Sequence, residues 1–110
     1  MGTPIWAEKL ISAGSALNTA GNLNKVTGSK ATGTLVYVTF GPGTSAGAVV
    51  IEGAPDPNYT GTWATLATIN WAAADRTHET FIAGSFLGRR ARISTAIVGG
   101  TVDVDALVTG

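Results

Sequence analysis

Apolar and polar positions alternate along most of the chain, which is the two-residue period of half-buried β-strands. In "LVYVTF" (35–40), Val36, Val38 and Phe40 share one face, and Tyr37 and Thr39 the other. In "AVVIEG" (48–53), Val49 and Ile51 point one way and Glu52 the opposite way. "WATLATINW" (63–71), "ETFIAG" (79–84) and "FLGRRARISTAI" (86–97) continue the pattern. Between them, "GPGTS", "PDPNYTG" and "AAADRTH" supply turn residues. Helical spacing arises only in "WAEKLISAGSA" (6–16), through Trp6, Leu10 and Ala13, and Gly14 weakens it; a strand over 8–12 fits as well. Segment 20–33 is small and polar, with one short strand expected at 23–26. The pattern predicts an all-β fold, an antiparallel β-sandwich or jelly-roll-like domain of seven or eight short strands. It spans 1–110 as a single domain, with residues 1–5 as an N-terminal arm.

The end of the chain invites a specific register. Gly99-Gly100 suits a two-residue hairpin turn of type I′, in which both central residues need positive φ. Folding there sets Ile97 opposite Val102, Thr95 opposite Val104, Ile93 opposite Ala106 and Ala91 opposite Val108. The other face then carries Arg90, Arg92 and Ser94 against Asp103, Asp105 and Leu107, with Arg92 diagonal to Asp105.

Composition narrows the function. Charged residues make up 13% of the chain, lysines and arginines balance aspartates and glutamates at seven each, and there are no cysteines. The basic footprint of a nucleic-acid binder is missing. Disulfides and thiolate metal sites are excluded. No apolar run is long enough to span a membrane, and "MGTPIWAEKL" lacks a signal-peptide pattern, so synthesis in a cytoplasm, and retention there at least initially, are expected. So neutral a surface, with 15 glycines, suits a domain packed against neighbours.

Four arrangements of residues suggest chemistry. "GTSAG" (43–47) matches the nucleophile-elbow motif, and Asp56 or Asp75 and then His78 follow Ser45 in hydrolase order. The elbow needs a helix after the serine, whereas "AGAVVIEGAP" is β-forming, so a turn is the expected reading. Asp103 and Asp105 share a strand face, but a flat strand offers too few oxygens for calcium, and pairing with Arg90 and Arg92 accounts for them. The carboxylates show no spacing that opposes two of them for glycosidase work. Tyr59 and Trp63 could form a stacking platform for sugar, although Trp63 is expected to pack on the core edge. No catalytic, metal-binding or cofactor-binding residue is therefore assigned.

"VVIEGAPD", "TWATLATI", "GRRARIST" and "GGTVDVDALV" together resemble small β-sandwich proteins of tailed bacteriophage particles. The matching residues are Glu52, Gly53, Asp56, Trp63, Leu66, Arg90, Arg92, Ile93, Gly100, Thr101, Val102 and Val104. Asp56 departs from the pattern in being followed by Pro57 rather than a tight glycine turn, and the first third of the chain has no matching motif. The resemblance implies a non-enzymatic virion structural protein: first a capsid decoration or cement protein bound to the major capsid protein or other virion proteins, or else a head–tail or tail-surface piece. Charge and hydropathy argue against nucleic-acid and membrane partners, and self-association, as a trimer for example, would suit the reading. The alternative is a carbohydrate-binding or adhesion module on the tail or particle surface. Segment 55–62 reads as a stiff hairpin loop in which Asp56 bonds local backbone. The expected partner contacts are Ile5, Trp6, Pro57, Asn58 and Tyr59.

Overall fold

A computed structural model describes residues 4–23, 32–56, 58–73, 76–83 and 88–109, with the side chains of residues 4–6 outside that description. Among the described residues eight strands form: β1 (Pro4–Gly14), β2 (Ala20–Asn22), β3 (Gly33–Phe40), β4 (Ala46–Ala54), β5 (Ala64–Asn70), β6 (Thr77–Ala83), β7 (Gly88–Val98) and β8 (Val102–Thr109). They make two four-stranded sheets, sheet A in the order β1-β8-β3-β6 and sheet B in the order β2-β7-β4-β5. Every pairing is antiparallel. This strand order is that of a jelly roll: successive strands alternate between sheets, and only β4 and β5 are joined as a hairpin within one sheet.

The core lies between the sheets and is built from the alternation seen in the sequence. Val36, Val38 and Phe40 of β3 and Val102 and Val104 of β8 meet Val49 and Ile51 of β4 and Ala91, Ile93 and Ile97 of β7. Most are β-branched, and their stiff side chains pack well on a pleated surface. Full burial of such a side chain contributes about 1.5–3 kcal/mol. A second cluster, Leu23 with Ala106 and Val108, fills one end.

The sequence leaves two options for 6–16, and the structure takes the strand, as β1 (Pro4–Gly14). The short strand expected at 23–26 forms earlier, as β2 (Ala20–Asn22); Leu23 follows it, fully buried, and residues 24–26 lie outside the described residues. Gly21 brings the two edge strands together. A Cβ there would stand 1.6 Å from the Leu10 carbonyl oxygen, so only glycine lets β1 and β2 close this side of the sandwich.

The expected 99–100 hairpin is not formed. Strand β7 pairs with β2 and β4, whereas β8 pairs with β1 and β3, in the opposite sheet. Ile97, Ile93, Ala91, Val102, Val104, Ala106 and Val108 are buried as expected, but their rows face each other across the core instead of lying side by side; Thr95, expected in the same row, is exposed, because the β4–β7 register shifts there. Gly99 has φ +82° while Gly100 is not left-handed, which a type I′ turn would require of both. The connection is a corner between sheets, packed against the second such corner at 41–45. Gly41 donates its N–H to the Thr101 carbonyl at 2.7 Å and Ser45 donates to Val98 at 2.9 Å. A Cβ on Gly99 would come within 2.3 Å of the Gly43 oxygen.

Gly21→Ala should therefore destabilise the fold by about 3 kcal/mol, the upper end of overpacking costs. Gly41→Ala, whose nearest new neighbour is 3.2 Å away, should cost distinctly less. Urea midpoints of the two variants check this; equal midpoints would mean that β1 can move away from β2 freely.

Candidate functional site

The most organised polar feature lies on the outer face of sheet B, at the foot of the β4–β5 hairpin. Alternation along β4 puts Glu52 outward, opposite Arg90 of β7 in the ladder. Its side chain is nevertheless only 5% exposed. Arg90 Nε donates to Glu52 Oε1 at 2.7 Å, and Arg92 donates through Nε at 3.2 Å and Nη2 at 3.4 Å. Arg92 Nη1 also donates to Asn18 Oδ1 at 3.0 Å, tying in the turn after β1. Trp63 roofs the cluster, with the Arg90 guanidinium carbon 4.4 Å from its ring centroid, a cation–π contact.

Roof and loop hold each other. Trp63 Nε1–H donates to the Tyr59 carbonyl at 3.0 Å. The Asn58 N–H donates to Asp56 Oδ1 at 2.8 Å, and the Tyr59 N–H to the Asp56 carbonyl at 3.3 Å. Asp56 thus closes an Asx turn, the local backbone role expected for it. The result is an ordered hairpin tip that exposes Asn58 and Tyr59. Trp63, 7% exposed and stacked on Arg90, does not offer its ring as a platform beside Tyr59.

Among the expected contacts, Asn58 and Tyr59 sit together on this tip. Pro57 and the side chains of Ile5 and Trp6 lie outside the described residues; the backbones of Ile5 and Trp6 belong to β1, not to a separate arm. The aspartate pair is partnered differently from the expectation. Asp103 and Asp105 bond Lys9 of the neighbouring strand β1, at 3.7 Å and 3.3 Å, while Arg90 and Arg92 turn to Glu52 in the other sheet. This follows from the corner at 99–101, because strands in different sheets cannot share an outer face. Asp103 Oδ1 also accepts the N–H of Ala13, at 2.9 Å, where the β1 backbone is left-handed at φ 50°.

Ser45 leads directly into β4 rather than into a helix, and its hydroxyl lies 3.5 Å from the Val98 carbonyl. The ring of His78 stands edge-on to Phe40. Asp75 lies outside the described residues. Sequence reading did not single out Lys9, or Arg89, which points inward and is buried. Alternation could have found Arg89, since its neighbours on the inner face of β7 are Ala91 and Ile93. Burial lowers its pKa.

No protein-family model matches the chain, and no curated protein does. A solved structure similar to it comes from Bacillus endospore appendages, described as a family of disulfide-linked pili. It has a TM-score of 0.48 and 17% identity, over all of this chain and 92% of that one.

The Glu52 carboxyl is the titrating element of the cluster. Burial, the largest single influence, would raise its pKa, but the hydrogen bonds and charges of Arg92 and Arg90 together outweigh it and hold the pKa below the ordinary glutamate value. A folded-state pKa below the unfolded one gives stability that is present above the unfolded value and lost as pH falls through the folded one. Thermal unfolding should therefore show a loss of stability in the acid range below the ordinary glutamate value, and Glu52→Gln should flatten that part of the profile. Glu52→Ala at neutral pH should cost about 3 kcal/mol, because it leaves two crowded guanidinium groups without their carboxylate. An unaltered acid limb in Glu52→Gln would mean that other carboxylates set it.

Proposed function

We propose that this chain is a non-enzymatic structural protein of a virion, a decoration or cement protein that binds the shell of a tailed-phage head. The observation that carries the reading is the hairpin tip as described at Pro55, Asp56 and residues 58–63. It is fixed by the Asx turn at Asp56 and by Trp63 locked on Arg90, and it presents Asn58 and Tyr59 to solvent. A rigid tip loses little entropy on docking, and an exposed tyrosine gives a large amphipathic contact. The jelly roll is consistent with this reading, since the architecture recurs in capsid and lectin domains, but a fold does not fix a function. Many copies on one lattice need only weak individual contacts.

Tyr59→Ala should leave the unfolding midpoint within about 0.5 kcal/mol of wild type, as surface substitutions do. It should also lower the amount of chain retained on purified particles. The first measurement is the amount of this chain relative to the major shell protein, by quantitative mass spectrometry of particles. A ratio near one, or a fixed simple fraction of it, supports decoration; absence from particles overturns the reading.

A further inference from the structure

The two outer faces of the sandwich differ in charge. On sheet A, ladder pairing places Leu35, itself buried, between the half-buried Leu107 and the exposed Phe81, a row across β8, β3 and β6. Phe81 at 42% and Tyr37 at 38% are among the most exposed large apolar side chains described. Asp103 and Asp105 on β8 and Glu79 on β6 flank this row, with Lys9 as the basic residue among them. Tyr37 stands opposite Glu79 in the β3–β6 ladder, so an aromatic and a carboxylate meet at the edge of the patch. The outer face of sheet B carries Arg90 and Arg92 around the single carboxylate of Glu52, with guanidinium side chains 26% and 28% exposed. Asp56 lies past the end of β4, beyond this face. Among the described residues, carboxylates thus gather on one outer face and guanidinium groups on the other.

The two guanidinium groups converge on Glu52, and the two aspartates on Lys9. Each guanidinium carries more N–H donors than its contacts with Glu52 and Asn18 use, so it can also meet a carboxylate of a second copy. The slab measures 40 × 30 × 18 Å. Its broad face exceeds the ~800 Å² that a stable interface takes from each partner.

We propose that copies of this chain stack front to back, the outer face of sheet A on one copy against the outer face of sheet B on the next. Such an interface is heterologous: it closes into a ring if the rotation between copies allows and otherwise continues as a column. The inference does not depend on the virion reading, because it concerns only contacts between copies.

The test is sedimentation velocity of the full chain over a concentration range, at low salt and at 0.5 M salt, combined with photo-crosslinking. Phe81→p-benzoylphenylalanine should, on irradiation, give a two-chain adduct whose second peptide comes from β5 or β7. Wild type should sediment as a species larger than a monomer at low salt and dissociate as salt screens the charges. Glu79→Lys, on an exposed edge strand, should weaken association by at least tenfold while circular dichroism stays that of wild type; should that variant fail to fold, Phe81→Lys replaces it. A monomer at every concentration, or an adduct joining position 81 of one copy to β6 of the other, overturns the proposal; the latter would mean that like faces meet.

Discussion

Everything in this molecule depends on two inward rows of β-branched side chains meeting across one narrow core. Val36 and Val38 on β3 and Val102 and Val104 on β8 form one row system; Val49, Ile51 and Ile93 on β4 and β7 form the other. Neither sheet could bury its apolar face alone, so the hydrophobic gain comes only when the two sheets close on each other. With so few charges and no disulfide, the chain has little else to hold it. The corners at 41–45 and 99–101 and the contact at Gly21 are the backbone conditions for that closure. Gly21, Gly43 and Gly99 are the points where a side chain would meet backbone too closely for the sheets to approach.

The outward residues are arranged by the same pairing. Glu52 gathers Arg90 and Arg92 because β4 and β7 are neighbours in sheet B. Lys9 takes Asp103 and Asp105 because β1 and β8 are neighbours in sheet A. In the first cluster the carboxylate is buried beneath Trp63 while the guanidinium groups stay partly exposed, whereas the second is half exposed and worth at most about 1 kcal/mol per pair. The hairpin tip inherits its order from the roofed cluster, through Trp63 and the carbonyl of Tyr59.

Much of this was legible in the sequence. The strands at 35–40, 48–53 and 63–71, the burial of alternate residues and the local role of Asp56 follow from periodicity and turn chemistry, which act over a few residues. What was not legible is which strand lies beside which. An alternating row states that Ile93 and Val104 face the core; it does not state from which side. Two such rows joined by Gly-Gly satisfy a hairpin and an inter-sheet corner equally well. Choosing the hairpin paired Arg92 with Asp105 and so misassigned both ion clusters. The edge strand β1 was ambiguous for a related reason: "WAEKLISAGSA" carries helix-forming residues, and pairing with β8 overrides that preference. Glu52 illustrates the remaining gap, since nothing local in "VVIEGA" tells that an outward glutamate will be covered.

The first and last strands lie side by side, with Pro4 opposite Thr109 and Trp6 opposite Val108. Strand β8 sits between β1 and β3 at the centre of sheet A, so that sheet has a gap in its middle until β8 arrives. A chain emerging from the ribosome can pair β4 with β5 early, but it cannot assemble sheet A until β8 has been made. Folding is therefore tied to the synthesis of that strand. Its contacts are mostly non-local, which slows folding and leaves apolar rows open to other nascent chains in the interval. A version cut short before β8 would not be a smaller domain but a sheet without its central strand.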